Sequence, residues 1–404
     1  MISLRFSKKA ANIPLFVNSN FGEIMFEKTK ALCDSFLEMG VPGFDLAVYS
    51  GGECILRHYN GFSDVENKVL INGKERYNIY SCSKPMTCVA ALQLWEKGLF
   101  SLEDKLSDYM PEFADMTVET EDGIKKANNP ILIKHLFEMT SGLSYALDSP
   151  SLMKFREETN GVCKTRDAFK YAAKEPLCYE PGERWQYSMS HDVLAALVEV
   201  LSGERFEVYV KKNIFDRVGM NDSTFLLPDN ELDTIAEQYK FEDGKLVNLG
   251  KPILPFFKLG SEYASGGAGC ISTVDDCIKF LEGLRTGVFI KSETLKLMIT
   301  DRLTESQKST YWTKETHGYG LGVRCNGGIG NNIDFGWGGA AGAYMAVDIE
   351  NDISIYYGCH LHSSPGQGPR SLLYRLIMAE LLDNGDFESI VDEMKKLYDY
   401  NLTY

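Results

Sequence analysis

Two segments of the chain have residue types and spacing suited to nucleophilic chemistry: Ser81-Cys82-Ser83-Lys84 and Ser151-Leu152-Met153-Lys154. A serine hydroxyl attacks poorly until a base takes its proton. A lysine can be that base where poor solvation or nearby cations disfavour its charge. On a helix, i and i+3 share one face, one turn apart. The pattern alone is weak, because chance supplies about two copies in a chain this rich in Ser and Lys. Context separates the copies. Ser81 ends a β-like run and opens a strongly apolar helix, Cys82 to Lys97, closed by Gly98. The helix N-terminus adds partial positive charge and free N–H groups at the serine. Pro85 fits a first turn, which lacks N–H partners anyway. Ser151 lies just after Pro150 in a loop-like stretch without that context. Read from these residues alone, Ser81 fits a helix N-cap beside a solvated Lys84 somewhat better than a nucleophile.

The elements that must position Ser81 can be read from periodicity. Phe26, Leu32, Phe36 and Leu37 recur at helical spacing within 21–40, and Pro42-Gly43 ends that helix. Phe44 to Ser50 and Glu53 to Tyr59 flank Gly51-Gly52, a two-residue hairpin signal. From 99 to about 264 the chain holds helical stretches at 131–139, 166–174, 190–202 and 204–218 between long loops. Helices at 273–287 and 291–301 come next. Then come strands at Tyr319 to Arg324, Asn332 to Phe335, Ala343 to Asp348 and Ile353 to Cys359. A helix spans Ser371 to about Leu382, and the acidic tail 383–404 reads as one more. This order predicts an antiparallel α/β domain built from both termini, residues 1–98 and 265–404, with a mostly helical domain inserted at 99–264.

Composition narrows the function classes. The 404 residues are 44% hydrophobic and 25% charged, ordinary globular usage. A net charge of −15 argues against nucleic acid or anionic membrane as main partner, since both need a basic footprint. No run approaches the roughly 18 apolar residues of a membrane span. The run Ile13 to Val17 is too short for a signal peptide, so a cytoplasmic location is expected. Ten scattered cysteines without a C-x-x-C pair fit reduced thiols.

Taken together with segments further along the chain, S-C-S-K-P resembles the serine β-lactamase and penicillin-recognising superfamily, most of all the class C branch and its esterase relatives. The similarity runs from about residue 22 to 382. Phe100 to Phe113, Ile133 to Leu143 with Thr140-Ser141-Gly142-Leu143, Pro181 to Ser188, and Gly336-Trp337-Gly338-Gly339 fall in the family's order. The resemblance implies a β-lactamase-like fold. It implies Ser81 as nucleophile, Lys84 as its activating partner and Tyr187 as second acid/base, with the backbone N–H groups of Ser81 and Ala340 as oxyanion hole. Gly338 and Gly339 would let substrate approach the strand. No metal or organic cofactor is implied.

The chain departs from the β-lactamase pattern twice. Met189 stands where many members have the Asn of Y-x-N, and Trp337 where peptidases carry Lys or His. Both make the pocket more apolar, which suits an ester better than a peptide. The run Tyr187 to Leu194 and the W-G-G motif resemble the carboxylesterases of this fold. The expected activity is therefore a serine hydrolase cleaving a small-molecule carboxylic ester through an acyl-serine. The alternatives are a β-lactamase, D-Ala-D-Ala peptidase or amidase, and a catalytically silent binding protein. Tyr145, Phe256, Phe257, Tyr263 and Trp312 are pocket candidates. His191 reads as a helix-surface residue and Cys82 as an inert buried thiol. His360-x-His362 lacks a third ligand for a metal.

Overall fold

The computed structural model describes residues 26–242, 244–327, 333–362, 369–382 and 386–398. Its centre is an eight-stranded antiparallel sheet. Chain order gives β1 (Gly43–Ser50), β2 (Glu53–Asp64), β3 (Val69–Leu70), β4 (Gly318–Tyr319), β5 (Arg324–Cys325), β6 (Phe335–Gly338), β7 (Tyr344–Asp348) and β8 (Ile353–Cys359). Spatial order is β4-β5-β6-β7-β8-β1-β2-β3, so β8 lies beside β1, with Phe44 opposite Cys359 and Ser50 opposite Ile353. One sheet thus joins strands from the two ends of the chain.

Alternation along the strands sorts side chains to two faces. Phe44, Leu46 and Val48, with Ile353, Ile355 and Tyr357, pack on one side against α1 (Glu27–Glu38) and two C-terminal helices, Leu373–Leu381 and Phe387–Tyr398. Ala47 and Tyr356 face the larger core on the other side, which contains α2 (Ser83–Glu96), α3 (Ser190–Ser202) and α4 (Val274–Arg285). Helix α2 is buried from Ser83 through Leu94. A helix covered on all sides cannot tilt to suit solvent, so its first turn is a rigid platform.

Several expectations are corrected. Pro150–Glu158 is a helix with Pro in its first turn, so Ser151 and Lys154 are helical rather than in a loop. Proline's fixed φ suits that position. Lys154 stays on the surface near Glu158 at 3.8 Å. Tyr319 to Arg324 is not one strand; Gly322, at φ 83°, turns the chain between β4 and β5. The strand expected at Asn332 to Phe335 begins at Phe335 and includes Trp337 and Gly338, while 328–332 lie outside the described residues. The helix expected at 204–218 changes to π geometry over Lys211–Phe215. Two hairpins, Thr117–Thr120 with Gly123–Lys126 and Gln238–Glu242 with Lys245–Gly250, interrupt the segment read as mostly helical. No helix among the described residues is long and apolar enough to cross a membrane.

Candidate active site

Ser81 sits in a 3-10 turn, Tyr80–Cys82, that runs straight into α2. Tyr80 holds φ 48°, an uncommon left-handed conformation for a bulky residue. Its hydroxyl is tied to Gln238, and Ser83 Oγ donates to its carbonyl at 2.5 Å. The strain is thereby held in place by surrounding contacts.

Lys84 is fully buried and Ser81 is 6% exposed. Lys84 Nζ donates to Ser81 Oγ at 3.2 Å and to the Gly267 carbonyl at 2.6 Å. An amine this close to a serine hydroxyl is within reach of its proton. Ser83, Lys84 and Thr87 together fix the 266–270 loop. Thr87 donates to Gly266 O at 2.7 Å, and Ser83 Oγ accepts from Cys270 N at 3.0 Å. Glycine is required at 267, where a Cβ would lie 2.4 Å from Asp192 Oδ2.

Asp192, on α3, is a neighbour of Lys84 that motif reading misses. It is buried and accepts from Ser265 Oγ at 2.5 Å, Tyr263 OH at 3.0 Å and the Gly267 backbone N–H. Burial raises its carboxyl pKa, while the nearby Lys84 charge and these donors oppose the rise. The signal that could have found it is an acid on an otherwise apolar helix face, five residues after Tyr187.

Tyr187 lies with Lys84 Nζ over its ring, 4.5 Å from the centroid. Its hydroxyl accepts from Trp337 Nε1 at 3.2 Å. Phe256, Tyr145, Tyr187 and Trp337 form a near-parallel series, with successive centroids 5.9, 5.5 and 5.9 Å apart and interplanar angles of 20°, 4° and 19°. Trp312 packs on Tyr187 at 4.9 Å. Phe256 is 50% and Trp312 65% exposed, so both form the rim. A hydroxyl chain, Ser141 to Ser190 and Ser190 to Ser188 at 2.7 Å each, ties the T-S-G-L segment to the residues after Tyr187.

Gly339 brings the turn after β6 against the turn that carries Ser81. A Cβ there would lie 2.4 Å from the Ile79 carbonyl. Its small size thus admits backbone, where the sequence suggests substrate. Ala340 comes next, partly buried against the cluster of Tyr80 and Ala341. Gly338 lies on the opposite side, 3.2 Å from Arg370 Nη2 by the same measure.

Met189 is buried in the main core, with its backbone N–H on Ser144 O at 3.0 Å. Tyr263 lies behind the site, on Asp192. His191 is fully buried, contrary to the expected surface position. Its Nε2 is 3.6 Å from Cys88 Sγ and 3.3 Å from the Phe137 carbonyl. Desolvation lowers its pKa to about 3. Cys82 is a buried thiol whose pKa burial pushes up to about 12. His360 contacts the Glu237 carbonyl and His362 faces Gln238 at 3.4 Å. No metal-binding group of three is found among the described residues.

Comparison with known proteins gives related enzymes. Esterase EstB of Burkholderia gladioli is 28% identical over 264 residues, 60% of this chain and 66% of its own length. ML-236A carboxylate methylbutanoyltransferase of Penicillium citrinum is 29% identical over 279 residues, 63% of this chain and 65% of its own. The solved structure of EstCE1, described as a hydrolase with promiscuous acyltransferase activity, superposes with a TM-score of 0.74 at 23% identity. It covers 89% of this chain and 99% of that one, a likeness of fold. The Beta-lactamase family model matches residues 25–377. With so little of the chain outside that match, the protein belongs to the beta-lactamase family.

Proposed function

We propose that the protein is a serine esterase working through an acyl-serine, with Ser81 as nucleophile and Lys84 and Tyr187 as its acid–base pair. The observation that carries this is the buried Lys84 amine 3.2 Å from Ser81 Oγ, with the Tyr187 ring against the same amine. Ser81 Oγ attacks the ester carbonyl while its proton passes to the Lys84–Tyr187 pair. The backbone N–H groups of Ser81 and Ala340 hold the tetrahedral oxyanion. Collapse breaks the carbonyl–alkoxy bond, and the pair returns the proton to the leaving alkoxide. Water repeats the sequence on the acyl-serine, releasing acid and free Ser81.

Trp337 favours an ester over a β-lactam or peptide. It offers a neutral donor to Tyr187 and apolar surface to substrate, where a cation would suit a substrate carboxylate. The aromatic rim fits a small apolar ester. The test is labelling by a fluorophosphonate with mass spectrometry, beside assays of short-chain p-nitrophenyl esters and a chromogenic cephalosporin. An adduct at Ser81 and ester turnover lost in Ser81→Ala are expected. No adduct and no turnover would overturn the enzyme reading, and rapid cephalosporin turnover with inert esters would reverse the preference.

A further inference from the structure

Behind the wall of the site lies a cavity of about 120 Å³ that the mechanism does not use. Its near wall includes Phe257, Tyr263, Ser265 and Gly269, and its far wall includes Leu226 and Leu232. The near wall is shared with the reacting groups. Within 265–269, Gly267 O accepts from Lys84, while Ser265 and Gly269 face the cavity. The Phe257 ring packs on Tyr80, next to Ser81, at 4.9 Å and also lines the cavity.

The lining is predominantly apolar and so favours an apolar occupant. The two hydroxyls at the wall, Tyr263 and Ser265, both donate to Asp192. They therefore have no proton left for a polar ligand. Leucine, isoleucine and phenylalanine supply much of the remaining surface, with Lys258 as its charged member. An apolar cavity of roughly 150 Å³ accepts a six-carbon ring, so this one suits about four or five methylenes. Position selects the acyl side of an ester. The leaving alcohol must lie by Tyr187 to receive its proton, whereas the cavity adjoins Tyr80 and the 265–269 loop.

We infer that this cavity is the acyl-chain subsite, taking the distal methylenes of a medium-length unbranched acyl group past the Phe257 ring. The inference rests on the ester reading above. Burial of each methylene would raise kcat/KM about fourfold until the cavity is filled.

The test measures the ratio of kcat/KM for p-nitrophenyl octanoate to that for the acetate, in wild type, Leu226→Trp and Leu232→Phe. The second filling variant guards against misfolding of the first. We expect the ratio to fall at least tenfold in a folded filling variant. A ratio within twofold of wild type in both overturns the subsite. Turnover of neither ester, with Ser81 unlabelled by fluorophosphonate, would instead overturn the ester reading. The cavity is then judged by decanoate binding, read as a thermal shift. A shift in wild type that is lost in Leu226→Trp supports it, and no shift in wild type overturns it.

Discussion

The indole N–H of Trp337 points at the Tyr187 hydroxyl oxygen from 3.2 Å, and the two rings lie 19° from parallel. A neutral donor thus sits at the oxygen where charge develops if Tyr187 carries the proton. Trp337→Phe keeps a ring and removes the donor. A hydrogen bond to a charged oxygen contributes about 1.5–3 kcal/mol, so kcat for ester hydrolysis should fall roughly tenfold to a hundredfold. Steady-state kinetics would show this, and an unchanged kcat would detach Trp337 from proton transfer.

Asp192 places a buried carboxylate beside Gly267, on the side where a Cβ would also meet Lys84 Nζ. Asp192→Asn keeps an acceptor for Ser265 and Tyr263 but removes a buried negative charge near Lys84. We expect kcat for ester hydrolysis to fall roughly tenfold. Lys84→Met should lower kcat by about a thousandfold. A kcat for Asp192→Asn equal to wild type would mean that Asp192 only holds the 263–267 loop.

Gly339→Ala places a methyl against the Ile79 carbonyl, at a backbone spacing that admits none. The 339–342 turn must move away from the nucleophile. We expect a loss of about 1–3 kcal/mol in stability from overpacking. Loss of one oxyanion donor predicts a kcat at least a hundredfold lower. Gly338→Ala meets the end of Arg370 at 3.2 Å and the Ala343 carbonyl only at 3.4 Å, an ordinary contact, and should be milder in both thermal melts and turnover. Equal effects at the two positions would falsify this account of the turn.

Four buried histidines each couple stability to pH. Desolvation lowers His191 to about 3 and His135, His360 and His362 to about 4, against an ordinary value of 6.5. A depressed pKa means the unfolded chain binds the proton first. The stability from each neutral histidine is full above about pH 6.5 and is lost as pH falls toward its folded value. Each contributes a slope of about 1.4 kcal/mol per pH unit in that window. Asp45 opposes them, because burial raises it to about 7 and the folded state gains a proton there, and the raised carboxyls of Glu138, Asp192 and Glu199 act in the same sense. Urea melts between pH 6.5 and 4.5 should show the stability–pH slope of His191→Gln differing from that of wild type by about one proton. A slope equal to wild type in His191→Gln would show that His191 is not held neutral.

The candidate site residues are legible in the sequence because their signal is local. Ser81, Lys84 and Pro85 declare a helix start, and Tyr187 closes a recognisable segment. Asp192 and His191 are harder to read. Helix α3 is buried continuously from Ser190 through Val198, so its polar residues follow no solvent face that periodicity could reveal. Element order is enough to foresee a sheet that joins both termini. The strand at Trp337 is placed too early because glycines carry no alternation. The hairpins near 117–126 and 238–250 escape a reading by helical periodicity, although Asp122-Gly123 and Asp243-Gly244 are strong turn signals.

Lys84, Thr87 and Ser83 grip the 266–270 loop through carbonyl and amide atoms of the main chain. Main-chain atoms survive most substitutions, whereas the rim rings Phe256 and Trp312 are side chains standing in solvent. Exposed positions usually change at a cost within about 0.5 kcal/mol. Selection or engineering can therefore exchange the rim for a new alcohol or acyl preference and leave the proton-transfer machinery assembled. A library confined to Phe256 and Trp312 is the place to seek altered substrates without sacrificing folding.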